Sequence, residues 1–175
     1  MTDRKYPIGP FVLKENYATE DVAQFLQIIA TSASEYKKLV EGLTDDDLAK
    51  TYREGSWNIR QLIHHVADIA ILHYFRMKKA VTEPDCDAPT LINMDAWAVT
   101  SDSLQMPIAD SLNILDGTNE RYIFFAAGLD EEALSRAYFH SVRQIWINQK
   151  AALAMSVWHL QHHLAHIKLA LGQDL

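Results

Sequence analysis

Four of the eight histidines in this 175-residue chain fall within eight consecutive residues, inside the run Val157 to Ile167, VWHLQHHLAHI. The flanks favour helix: Ala151, Ala152, Leu153, Ala154 and Met155 lead in, Leu169, Ala170 and Leu171 lead out, and Gly172 stands where a helix stops. At about 100° per residue, His159, His162, His163 and His166 project into one arc roughly a quarter of the helix circumference wide. One histidine on such a face is an ordinary core imidazole. Four are harder to bury, because each ring needs a partner for at least one nitrogen, and a shared metal ion meets that need. Two pairs, His159 with His163 and His162 with His166, have the i,i+4 spacing that lets consecutive turns reach one ion. Gln161 and Lys168 mark the side facing water, and the opposite direction falls between His159 and His163, which favours that pair.

A chain of this length forms one domain with its own core, here residues 19–175 behind an extended arm at 1–18 that contains two prolines and a glycine. The net charge of −7 and the absence of any Lys/Arg run longer than a pair such as Lys37-Lys38 or Lys78-Lys79 speak against nucleic acid and acidic membranes as expected partners. The start MTDRKYPIGPF has no apolar leader and no apolar run is long enough to span a bilayer, so a cytoplasmic protein is expected. The single cysteine, Cys86, excludes an internal disulfide and a cysteine-based zinc cluster, and between two aspartates it reads as an inert loop thiol.

Periodicity predicts an all-α fold: four long helices in a bundle, short connecting helices, and one short hairpin. The first helix starts near Thr19, read as its cap, and ends before Gly42. Thr44 caps a short turn over Leu43 to Leu48. The second long helix opens at Asn58, with Gln61 completing a capping box, and runs to about Ala80. Its inward stripe is Leu62, Val66, Ile69, His73 and Met77; His65 points into that stripe and His64 turns away. Val81 to Met106 reads as a long crossover with one turn of helix near Trp97. Pro107 opens the third helix, which ends at Gly128, and Asp130 caps a second short helix. Ala137 to Ile147 alternates like a short extended pair.

The halves echo each other: Gly42 to Tyr52 runs in register with Gly128 to Tyr138, and in each half a His-bearing helix capped by asparagine, Asn58 or Asn148, follows. Two helical hairpins packed as a pseudo-symmetric pair would let the second and fourth helices face each other, bringing His65 toward His159 and His163.

Several motifs together resemble the DinB/YfiT family of metal-binding four-helix proteins. They are Tyr6-Pro7-Ile8-Gly9, Tyr52-Arg53 with Gly55-x-Trp57-x-x-Arg60-Gln61, His64-His65-x-Ala67-Asp68, Ala96-Trp97, and Trp158-His159-x-x-His162-His163-x-x-His166. The resemblance implies a DinB-like four-helix bundle with a long crossover between helices two and three, one divalent metal ion, nickel or zinc, and often a homodimer. By motif position it assigns the metal to His65, His159 and His163, the trio that the helical faces already favoured. Ile92-Asn93-Met94 stands where relatives commonly show Tyr-Asp-Glu.

Three neutral imidazoles leave a divalent ion with an open position, the arrangement of a catalytic site. Two enzymatic readings follow, both on small-molecule substrates. In the first, a metal-dependent hydrolase, activated water attacks an ester, amide or similar small substrate, with Asp68, one turn after His65, as proton acceptor or as the group that orients a ligand imidazole. In the second, resembling relatives that act on low-molecular-weight thiols such as bacillithiol, a thiol S-transferase presents a thiolate to an electrophile. The lack of a glutamate inside the histidine motif favours the second. The non-enzymatic alternative is a metal-binding stress protein. His162 and His166 are candidates to support the ligands or touch substrate, His140 to close the mouth of the site, and Arg60 and Tyr74 to border it.

Overall fold

A computed structural model describes residues 3–83 and 91–175; Cys86 lies outside them. Four long helices form the bundle: α1 (Thr19–Leu39), α3 (Ile59–Thr82), α6 (Ala109–Ala127) and α8 (Gln149–Ala170). Between them lie α2 (Asp45–Leu48), α4 (Met94–Trp97), α5 (Ser101–Gln105), α7 (Glu131–Ser135), and the strands β1 (Ala137–His140) and β2 (Ile145–Asn148).

Local chemistry sets most boundaries. Thr44, Asn58, Asp130 and Asn148 each accept a hydrogen bond from a backbone N–H in the first turn of the helix they precede, and Asp47 and Gln61 reach back to complete capping boxes. α1 begins differently from the expectation. Thr19 is already helical, the N-cap is Ala18, and its backbone N–H donates to the Asp21 carboxylate at 2.8 Å. The alanine side chain has no acceptor, so the acidic residue of the first turn does the capping. Pro107 does not open α6 itself: it lies two positions before Ala109, the first helical residue, with Ile108 at the N-cap. Gly42 takes the left-handed conformation (φ +73°) after α1, where an L side chain would be strained.

β1 and β2 pair antiparallel, Ala137 opposite Asn148 and His140 opposite Ile145, with Gln144 at positive φ in the turn. The crossover holds two short helices rather than one turn: Asn93 caps α4, and Ser101 to Gln105 form α5 against α3.

The bundle does not consist of two self-contained hairpins. α1 and α3, consecutive long helices, each pack on both α6 and α8. The pairing of α3 with α8 is the one the internal echo anticipates. Buried polar groups lock the arrangement: Tyr36 donates to the Leu160 carbonyl at 2.6 Å, tying α1 to α8, and the Asn119 amide donates to Ser32 Oγ at 2.9 Å, tying α6 to α1. The core between them is apolar, with Ile29, Ile59, Leu62, Leu115, Ile147 and Leu153 all but inaccessible.

α8 is buried on nearly every side from Ala151 to Val157, which makes it the central element. The arm lies across its C-terminal half. Arg4 donates to the Tyr52 and Leu169 carbonyls, Trp158 Nε1 donates to the Gly9 carbonyl at 3.0 Å, and the Tyr6 ring lies 5.9 Å from His162. No helix among the described residues is long and apolar enough to cross a membrane.

Candidate metal centre

Three imidazoles from two helices meet where α3 packs on α8. The Nε2 atoms of His65 and His159 are 3.1 Å apart, and ligand atoms of His65, His159 and His163 all lie within 4.8 Å of one another. The His163 ring stands 4.5 Å from that of His159 and 4.8 Å from that of His65. Two nitrogens on one tetrahedral zinc stand about 3.3 Å apart, given Zn–N bonds of about 2.0–2.1 Å. The His65–His159 spacing therefore suits a single ion.

Electrostatics agree with geometry. Burial disfavours the charged imidazolium, lowering the pKa of His65 to about 4 and those of His159 and His163 well below the usual value. The neighbouring imidazoles push in the same direction. A metal ligand must present a neutral ring with a free lone pair, and here neutrality is the resting state at physiological pH. The donor set is all nitrogen, which suits zinc, nickel or copper over calcium or magnesium.

The surroundings hold the rings in place. Trp57, brought in by the loop before α3, packs its ring 4.7 Å from His65. Tyr52 stacks on His166 at 3.8 Å with an 11° interplanar angle, and Trp158 stacks on His162 at 4.4 Å. His162, His163 and His166 form a second close grouping on the arm side, sharing His163. His162 Nδ1 is buried without a partner among the described residues, whereas His166 contacts both His163 and the arm.

On the other side, His159 lines a cleft of about 410 Å³, a size suited to a small molecule. Its walls include Ile92 and Met94 from the crossover, His140 and Arg143 from the hairpin, and His73 and Arg76 from α3. His140 thus stands at this cleft, its Nδ1 accepting from the Arg143 backbone N–H at 3.4 Å.

Other candidates fall elsewhere. Arg60 donates to the Met106 carbonyl at 2.8 Å and pairs with Asp45 at 2.5 Å, so it braces the start of α3 against α2 and the crossover. Tyr74 packs against Tyr122 and Phe125 of α6, on a different side of α3 from the histidines. His64 does turn from the trio, but it is buried, bonded to Ser111 Oγ at 2.7 Å and to the Met106 carbonyl at 3.2 Å. Asp68 is half-buried, and burial followed by the charge of Asp102 on α5 raises its pKa to about 6. No hydrogen bond joins it to the trio among the described residues.

His73 is the residue near the centre that sequence reasoning left in the apolar stripe. Its ring lies 5.6 Å from His159, its Nδ1 is 3.0 Å from Ser156 Oγ, and burial lowers its pKa to about 3. The signal was present: His73 follows His65 by two turns of one helix.

A four-helix bundle carrying a three-histidine cluster between its second and fourth long helices defines a class, and comparison with known proteins places the chain in it. The chain belongs to the DinB superfamily, whose family model matches residues 28–167. It is 37% identical over 172 residues to an Oceanobacillus iheyensis protein named "Putative metal-dependent hydrolase OB0413", covering 98% of both chains. It is 32% identical over 164 residues to "Putative metal-dependent hydrolase YfiT" of Bacillus subtilis, covering 93% of this chain and 90% of that one. A solved structure of Bacillus subtilis YfiT, described as having "an unusual four-helix bundle topology", superposes with a TM-score of 0.92 at 29% identity, covering 98% of this chain and 99% of that one.

Proposed function

We propose that the chain is a divalent-metal-dependent enzyme acting on a small molecule, with His65, His159 and His163 as ligands to one zinc or nickel ion. The observation that carries this is the convergence of three neutral imidazoles from α3 and α8 beside a cleft of small-molecule size. The names of the relatives support hydrolysis as the reaction. When bound, the ion supplies Lewis acidity, lowering the pKa of whatever water or thiol it takes up.

The chain's own residues do the rest. Ile92, Met94 and Met155 hold the apolar part of the substrate, while His140 and Arg143 offer donors to its oxygens. Trp57 packs on His65 and keeps that ring from rotating out of register, while Tyr52 and Trp158 stack on the neighbouring His166 and His162. Asp68, with a pKa near 6, is the proposed proton acceptor for hydrolysis, because a base works best when its pKa lies near the working pH.

One feature favours transfer of a low-molecular-weight thiol as the second reading. No carboxylate is hydrogen-bonded to the trio among the described residues, and a thiol is deprotonated by the ion itself without a general base. Asp68→Asn separates the two readings. Under hydrolysis, kcat/KM falls by about 10²- to 10⁴-fold and the acidic limb of the pH profile disappears; under thiol transfer both stay as they were. The substrate screen sets esters and amides beside an alkylating electrophile with a panel of cellular thiols. Thiol-independent turnover supports hydrolysis, conjugation with one thiol supports transfer, and a metal-loaded protein inactive in both favours a metal-binding stress protein. A homodimer is the expected assembly, and light scattering of the metal-loaded chain tests it.

A further inference from the structure

His166 lies outside the proposed ligand trio, yet its two nitrogens have distinct partners. Nε2 lies 3.3 Å from the Lys5 backbone carbonyl, and Nδ1 lies 3.4 Å from His163 Nδ1. A carbonyl oxygen only accepts, so the Nε2 of His166 must carry the hydrogen in that contact. In a contact between two imidazole nitrogens one must donate and the other accept. A neutral ring with its hydrogen on Nε2 has a bare Nδ1, which can only accept, and the facing Nδ1 of His163 must then donate. That leaves Nε2 of His163 with its lone pair free, on the ring that sits 4.5 Å from His159 and 4.8 Å from His65.

We propose that His166 is a positioning residue: an ordered line of hydrogen bonds, from His163 Nδ1 through His166 to the Lys5 carbonyl, fixes which nitrogen of His163 is offered to the metal. This rests on the three-histidine reading of the site. The device depends on the arm, since the terminal acceptor is a main-chain atom of the segment held down by Arg4 and Trp158. The stack of Tyr52 on His166 keeps the ring plane aligned with both partners. It also accounts for the second histidine grouping. The Nδ1 of His163 is spent in a hydrogen bond to His166 and is not a ligand atom for a second ion. His162 contributes nothing to the line, as its buried Nδ1 has no partner among the described residues.

The test reads tautomers directly. In metal-free, ¹⁵N-labelled protein, long-range ¹H–¹⁵N correlations report which imidazole nitrogen carries hydrogen. The expected result is His163 protonated on Nδ1 and His166 on Nε2. Finding His163 protonated on Nε2 in the wild type overturns the proposal without any variant. His166→Phe keeps a flat ring against Tyr52 but removes the acceptor, so His163 shifts toward the Nε2–H form and zinc affinity, read by competition with a chromophoric chelator, falls about 10- to 100-fold. His166→Gln preserves the polarity, its Oε1 accepting and its Nε2–H donating, and it restores both readouts. Unchanged zinc affinity in His166→Phe, or a Gln variant no better than Phe, refutes the relay. If the wild type binds no zinc, the three-histidine reading fails instead, while the tautomer measurement still decides the hydrogen-bond line.

Discussion

Acid should unfold the metal-free protein at an unusually mild pH, because histidines are buried in it uncharged. His65, His162 and His166 are lowered to about 4 and His73 to about 3, in each case chiefly by burial. An unfolded histidine has a pKa near 6.5, so between that value and about 4 the unfolded chain binds protons that the folded chain refuses. Stability is therefore intact above about pH 6.5 and drains as pH falls toward the folded values. At about pH 5 each such group costs about 2 kcal/mol, and four together cost about 8 kcal/mol, comparable with the whole stability of an ordinary domain. Asp68 works in the opposite sense, since its raised pKa near 6 makes folding gain as pH drops through that range, but one half-buried carboxyl does not offset four imidazoles. The assay is a circular-dichroism titration in chelator, with proton uptake measured by calorimetry in buffers of different ionisation enthalpy. A midpoint near pH 5 with uptake of several protons is expected. A metal-free protein still folded at about pH 3.5, or one that unfolds with uptake of a single proton, would refute the reasoning.

Further outcomes follow from the same geometry. His65→Ala, His159→Ala and His163→Ala each lose the ion with little change in helix content, while His64→Ala retains it; elemental analysis of the four proteins checks this, and full occupancy in His163→Ala rejects the ligand assignment. Saturating zinc at about 100 times its Kd stabilises the wild type by about 2.7 kcal/mol, visible as a raised melting temperature that His163→Ala does not show. Tyr36→Phe removes the donor to the Leu160 carbonyl and costs about 1 kcal/mol in urea unfolding without altering metal content. Asn148→Ala strips the cap of α8 and costs about 1 kcal/mol by the same measurement.

The helices and the meeting of His65, His159 and His163 were legible because both rest on one period. Caps at Thr44, Asn58, Asp130 and Asn148 mark helix starts by chemistry local to a few residues, and the 3.6-residue repeat puts His159 and His163 on one face. The same rule, applied further, would have corrected two candidates. Tyr74 is nine residues from His65, about half a turn out of phase, and Arg60 is almost as far round. Their distance from the trio is helical arithmetic. His73, by contrast, shares the His65 face, and its apolar neighbours disguised it as core. What could not be read locally is tertiary: the burial of His64 against Ser111, the short α5 over Asp68, and the way α1 and α3 both straddle α6 and α8 depend on how distant segments dock.

His65 and His159, whose Nε2 atoms lie 3.1 Å apart, are 94 positions apart along the chain. A nascent polypeptide that has completed α3 holds one of the three proposed donors, and the other two arrive only with the last long helix. On that reading, capture of an ion waits until α8 has been made. A chain truncated before α8 keeps only His65 of the three proposed donors, so on this reading metal uptake reports on the completion of the fold.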